Sequence, residues 1–442
     1  MNRLYTGGKK SISFDKSFST KIIFSEPDKY RLLEQVSQKS EKIINMGANL
    51  SYSPLGFCRD SLSINIKHFD RIIEFNKDKK IITVEAGLTL IDFLNFTLKH
   101  NLWIPQLPGY PTISIGGAVA ANVHGKSCAI HGTIRKSIES ILLFHKNHGW
   151  LNLSESENKE IFDLTVGGLG LTGTIVSVTF NLANIESSKF ITQKKEVDSI
   201  KDSKEIILNK SKDLSFIYTW NRADNLKNFG KGFVYKNQIT ESPSTFENFK
   251  EVKNKFKPFL IPLWNKYSIN IVNTLYLKIN QLSKSKYKDD FLNVIFPFYG
   301  KENYFNFFGK KGFLESQLLI DETKLEPFIE EFKSLFQKYE PTITLFSLKN
   351  MSGKQKFLRF EDDKICLTFD LVNNKKNLLF MSKIDSLYIK YNILPSIIKD
   401  SRISKETLNN TYKDEFIKFK DQLYNFDKKR VYQSEMSNRM EI

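Results

Sequence analysis

Apolar and polar positions alternate along this chain with two periods, and the changes between them predict its elements. From 28 to 45 (DKYRLLEQVSQKSEKIIN) apolar residues recur at helical spacing, which predicts a helix. Met46 to Gly56 is loop-like, with Gly47, Asn49, Ser51, Ser53 and Pro54. Ser61–Ile66 alternates and Ile81–Glu85 is β-branched, so both read as strands. A helix follows from Thr89 to His100, with Thr89 as its cap and Asp92 three residues on. Ser140–Phe144 reads as a strand, the acidic run Ser154–Phe162 as a helix, and Thr174–Phe180 as a strand.

Beyond Glu186 the pattern changes. Glycines thin out, while Lys, Asn and aromatic residues rise until about Ser285. Phe259–Trp264 and Tyr267–Ile279 form an apolar, aromatic segment carrying Lys266 and Lys278. It fits either a buried helix or strand, or a flap lying on a membrane surface or over a substrate. Phe313–Ile320, Ile343–Leu348 and Ile365–Val372 read as strands, with a helix at Glu326–Tyr339. That order predicts an antiparallel sheet backed by helices. At 442 residues the chain is long enough for two domains, and the fold class is α+β.

Two glycine clusters carry the candidate chemistry. The first lies in LPGYPTISIGGAVAANVHGKSCAIHGT, Leu107 to Thr133. Gly116 and Gly117 lack a Cβ, so their amides can approach a phosphate or a ring edge. The second is Val166-Gly167-Gly168-Leu169-Gly170-Leu171-Thr172-Gly173. Its Gly168-x-Gly170-x-x-Gly173 formally matches a dinucleotide fingerprint, but that motif must open a helix. Here a β-branched strand follows, so the glycines serve a turn. Two such clusters suggest a large cofactor held by backbone from two sides.

Charge and cysteine content narrow the picture. The net charge is +17, which fits an anionic partner such as a phosphorylated substrate, an anionic membrane or nucleic acid. The joint abundance of Lys, Asn, Ile and Phe fits compositional drift equally well. No nucleic-acid-binding signature is present, so nucleic acid is not expected. Cys58, Cys128 and Cys366 are scattered, which disfavours a metal site or a disulfide scaffold and fits a reducing, cytoplasmic setting. The stretch MNRLYTGGKKSISFDKSFS has no apolar core of the secretory type, and no run approaches a membrane span.

The ordered motifs resemble the vanillyl-alcohol-oxidase-like, PCMH-type FAD-binding superfamily, and within it the branch that oxidises a polyprenyl-phosphate-linked ribose. The residues that carry the likeness are Gly47 with Ser51-Tyr52, Leu107-Pro108-Gly109, Gly116-Gly117-Ala118, His124-Gly125-Lys126 and Thr165-Val166-Gly167-Gly168. It continues through Gly170-Leu171-Thr172-Gly173, Gly312-Phe313-Leu314, Gln317, Lys399-Asp400-Ser401-Arg402, Ser434-Glu435-Met436 and Arg439. The set is collinear over nearly the whole chain.

The resemblance implies an FAD-binding domain over residues 1–185, a substrate or cap domain with an antiparallel sheet over 186–395, and a C-terminal return over 396–442. It implies FAD held by Gly47, Ala48, Asn49, Leu50, Ser51, Tyr52, Pro108, Gly109, Gly116, Gly117, Ala121, Val123, His124, Gly125, Gly170, Thr172, Gly173, Ile175 and Lys399. It assigns catalysis to Lys399, His124, Gln317 and Tyr52, and the substrate pocket to Cys366, Lys364 and Ser347. FAD is expected to be non-covalent, because Leu50 stands where covalent members carry a histidine. The implied reaction oxidises a secondary sugar hydroxyl. A short-chain reductase would complete an epimerisation for cell-envelope synthesis, with peripheral contact at the inner membrane face.

Three departures bear on the sugar. Ser347 stands where the ribose-oxidising branch has a pocket lysine, Ser396 where it has a tyrosine, and Lys364 where it has an asparagine. A soluble aldonolactone or sugar-alcohol oxidase is the alternative from the same superfamily. A flavin-free binding protein with a decayed site is the alternative from another class.

Overall fold

The computed structural model describes residues 20–23, 29–209, 216–249 and 261–442. The stretch 1–19, which has no secretory-type apolar core, and Phe259 and Leu260 of the aromatic segment lie outside the described residues.

Besides a short antiparallel pair, Leu102–Trp103 with Ala183–Asn184, the first part of the chain builds two larger sheets. Leu62–Asn65 is the centre of a parallel sheet, flanked by Thr20–Ile23 and Ile43–Met46. An antiparallel sheet runs in the order Ile72–Asn76, Ile81–Glu85, Thr174–Asn181, Ile138–His145, Gly149–Ser154. The expected helix over 28–45 stops at Ser37, and Ile43–Met46 is a strand. The polar run Gln38–Lys42 breaks the helical stripe, and Ile43 and Ile44 are buried against Leu62–Asn65. Thr89 caps the helix Leu90–Thr97, accepting from the Asp92 amide at 3.3 Å. The acidic helix starts only at Lys159 and runs to Thr165, because Ser154–Glu157 closes a turn first.

The later part holds two more antiparallel sheets. One has the order Phe216–Asn221, Gly232–Ile239, Lys189–Val197, Lys286–Asp290. The other has the order Ile343–Met351, Lys364–Val372, Phe313–Ile320, Leu394–Pro395. Alternation gives this last sheet two unlike faces. Leu314, Leu318, Phe346, Leu367 and Phe369 pack on the helices Leu325–Tyr339 and Lys375–Tyr391 in one apolar core. The opposite face carries Glu315, Gln317, Ser347, Lys349, Cys366 and Asp370, since Glu315 pairs with Asp370 and Cys366 with Lys349.

The end of the chain returns to the first sheets. The Ile43 amide donates to Val431 O at 2.7 Å, and the Gln433 amide to Ile43 O at 3.0 Å. Ser53 bonds Ile397 O through its hydroxyl at 2.6 Å and Ile398 O through its amide at 3.2 Å. These bonds bring Lys399 beside Tyr52. Among the described residues, no helix is long and apolar enough to cross a membrane.

Candidate active site

Two loops and one short helix form a backbone cradle. Gly47 leaves the strand Ile43–Met46 so close to Ser114 that a Cβ there would lie 2.3 Å from its Oγ. Gly116 donates to Ala86 O at 2.7 Å, and its own Cβ would lie 2.9 Å from that of Ala86. These contacts require glycine. They press the loop 47–52 against the start of the helix Ile115–Ala120. The Ala48 amide donates to Ser114 Oγ at 3.2 Å. Among the described residues, the amides of Asn49, Leu50, Ser51 and Gly117 find no acceptor. Open amides beside Cβ-free backbone suit an anionic pyrophosphate, so the cradle fits FAD.

The second glycine loop packs against the same helix. Gly167 donates to Val119 O at 3.0 Å and Leu169 to Ala120 O at 2.9 Å. Asn45 ties the two loops together: its side-chain Nδ2 donates to Gly173 O at 2.9 Å, and Thr174 Oγ1 donates to its Oδ1 at 2.6 Å. Gly170 has φ +77°, with open space where a Cβ would be. Gly125 fits only as glycine, since a Cβ would lie 2.0 Å from Leu107 O, whereas Gly109 faces open space. Pro108 lies between them in this turn, and Ala121 and Val123 close the helix end. Two of the expected contacts point inward: Ile175 is core, and the Thr172 hydroxyl bonds Thr165 at 2.9 Å.

Over the cradle stands the polar face of the Phe313–Ile320 sheet. Lys399 Nζ lies 3.2 Å from Glu315 Oε1 and 4.0 Å above the centre of the Tyr52 ring. Burial, and then Glu315 and Asp370, push the Tyr52 hydroxyl well above its ordinary value, so it stays neutral. Asp370 is buried beside Glu315 and accepts from the Tyr304 hydroxyl at 3.0 Å. Burial and the Glu315 charge drive its carboxyl well up. Gln317 is buried beside the His124 ring, and its Oε1 makes no hydrogen bond of good geometry among the described residues.

His124 meets this cluster from the other side. Lys349 Nζ lies 3.1 Å from its Nδ1. Burial, then Lys349 and Lys399, hold the ring well below the ordinary histidine value, so it is neutral. Lys126 turns away, donating to Val294 O, and lies 4.6 Å over the Tyr218 ring. Cys366 is fully buried and its thiol is pushed up by burial, which leaves it unreactive.

The sequence-derived residues Tyr52, His124, Gln317, Cys366 and Lys399 therefore come together. Ser347 and Lys364 share this sheet face, but their side chains are engaged elsewhere. Ser347 donates to Thr219 O at 2.6 Å, and Lys364, at the start of the inner strand Lys364–Val372, pairs with Asp362 at 2.8 Å. Lys349 was missed, although it lies two residues beyond Ser347 on the same strand face. Glu315 and Asp370 were missed too. The two-residue spacing from Glu315 to Gln317 is the signal that could have found the first.

Residues 25–154 match the family model described as FAD binding domain. A decaprenylphosphoryl-beta-D-ribose oxidase from Mycolicibacterium smegmatis is 24% identical over 95% of this chain and 94% of its own length. An L-gulonolactone oxidase from Mus musculus is 26% identical over 49% of this chain and 48% of its own. An L-galactono-1,4-lactone dehydrogenase from Arabidopsis thaliana is 24% identical over 44% of this chain and 32% of its own.

Proposed function

We propose that this chain, an FAD-dependent oxidoreductase of the PCMH-type superfamily acting on CH–OH groups, oxidises a secondary hydroxyl of a lipid-phosphate-linked sugar. The favoured substrate is a polyprenyl-phosphate ribose, taken from the 2′-alcohol to the 2′-ketone. Residues 186–395 cap the cofactor domain 1–185 in this reading, and a separate short-chain reductase would return the ketone as the epimer. The work would be done at the cytoplasmic face of a membrane. The observation that carries the reading is the convergence of Lys399, Lys349, His124 and the Gln317 carbonyl over the cradle.

Bound FAD supplies the hydride acceptor. The chain's own groups do the rest. Gln317 Oε1 accepts from a sugar hydroxyl and orients it. The hydroxyl proton passes to Nδ1 of His124, held neutral by burial, once the Lys349 ammonium shifts from that nitrogen. Lys399 places a fixed positive charge where negative charge grows during the reaction. Lys349 adds a cation that suits a phosphate-bearing substrate. A water-soluble aldonolactone is the second reading, favoured by the likeness to lactone-oxidising enzymes over about half the chain. Anaerobic mixing with each substrate class separates the two: lipid-linked sugars should bleach the flavin, and aldonolactones should not. Bleaching by lactones alone would favour the second reading.

FAD should be non-covalent. Leu50 offers no bond to the ring, and Cys128 is fully buried, donating to Asn350 O at 3.2 Å. Burial pushes its thiol up to about 11, so it is not a nucleophile at neutral pH. Acid precipitation is expected to send all yellow colour to the supernatant, and flavin retained in the pellet would show a covalent bond.

A further inference from the structure

The helix Lys266–Leu282 has its amphipathic faces reversed. Its inward side is polar apart from the buried Ile269. Asn273 and Asn270 donate to Asp224 at 2.8 and 2.9 Å, and the Tyr276 hydroxyl bonds that of Tyr235 at 2.8 Å. Lys194 donates to Asn280 O near the helix end. The outward side is apolar: Tyr267, Ile271, Leu275, Ile279 and Leu282 are spaced four, four, four and three apart and are 54–90% exposed. That spacing is one continuous stripe along the helix. A protein core normally takes the apolar face, so this helix presents to its surroundings the face that others bury.

Charge narrows the occupant. Residues 261–288 contain Lys266, Lys278, Lys284, Lys286 and Lys288 and no Asp or Glu. All five lysines are exposed. A second copy of the chain would bring these five lysines against their own counterparts, with Glu196, Asp289 and Asp290 the acidic groups beside them. An anionic bilayer accepts both parts, the stripe among the acyl chains and the lysines among the phosphates. The helix also borders the candidate site. Trp264, just before it, donates to Tyr304 O at 2.9 Å, and the Tyr304 hydroxyl reaches Asp370.

We infer that the outer face of Lys266–Leu282 docks this protein on an anionic membrane surface, with the helix lying in the plane of the interface. The inference stands on the helix itself and does not depend on which sugar is oxidised. Vesicle flotation of the yellow holoenzyme tests it, with phosphatidylcholine vesicles made with and without phosphatidylglycerol. Flotation is expected only with phosphatidylglycerol and should weaken as salt rises. A variant carrying Ile271→Asn, Leu275→Asn and Ile279→Asn should float roughly tenfold less or worse while keeping its flavin. A second variant, Lys278→Glu with Lys284→Glu, should lose the preference for phosphatidylglycerol. The inference is overturned if the holoenzyme ignores both vesicle types, or if the triple variant floats as well as the parent. It is also overturned if light scattering finds a dimer that the triple variant breaks, since a second copy then covers the face.

Discussion

Lys399→Ala is expected to slow flavin reduction by about 100–1000-fold while FAD stays bound, the usual cost of losing one preorganised electrostatic donor. The ammonium is held by Glu315 and by the face of Tyr52, so it needs no rearrangement to act. The backbone around it is fixed independently. Ser396 donates to Gln317 O at 2.8 Å, Asp400 to Ser396 O at 3.0 Å, and Arg402 binds the buried Asp400 at 2.6 Å. Truncating the side chain therefore removes the charge and leaves the turn in place. Lys399→Arg should recover part of the rate, since it restores charge with a different shape. Anaerobic stopped-flow reduction with matched flavin content is the measurement. A near-normal rate in the alanine variant would remove Lys399 from the chemistry.

The largest stability effect is expected at Glu85. Its carboxylate and the Lys29 ammonium are both fully buried and 2.6 Å apart. Tyr30 donates to the other oxygen at 2.7 Å, and Arg71 approaches it at 3.1 Å. Burial pushes this carboxyl up, but the bonds from Arg71, Lys29 and Tyr30 outweigh it and hold it below the ordinary glutamate value. The stabilisation is therefore present above that range and is lost as pH falls through it. Glu85→Ala leaves a buried ammonium without its counter-charge, which costs about 3–5 kcal/mol. The cradle should suffer with it, because the next residue, Ala86, receives the Gly116 amide. Urea unfolding followed by flavin release gives the comparison. A loss below about 1 kcal/mol, the range of an exposed pair, would show that the pair is not structurally important.

Local patterns made part of this molecule readable in advance. The glycines at 47, 116 and 125 announce close backbone approach, and the structure has no room for a Cβ at any of them. Period-two alternation in Phe313–Ile320 and Ile365–Val372 identifies the strands. The same alternation does not say which polar face meets which loop. Lys349 reaches His124 across 225 positions, a contact fixed by strand register and by a loop from the far end of the chain. The helix expected over 28–45 ran too far because Ile43 and Ile44 continue its apolar count, and only pairing with Leu62–Asn65 shows them as strand. The hydropathy of Tyr267–Ile279 fits a buried element and a surface flap alike. The asparagines at 270 and 273 decide the outcome, because Asp224 takes them inward beside Ile269 and turns Ile271, Leu275 and Ile279 out.

The central claim is that this pocket takes hydride from a carbon bearing a sugar hydroxyl. Anaerobic addition of a polyprenyl-phosphate pentose to the holoenzyme tests it most directly. The bound flavin should bleach fully, and one equivalent of keto-sugar should form for each flavin reduced. If the flavin stays oxidised with every sugar alcohol offered, lipid-linked or water-soluble, the claim fails.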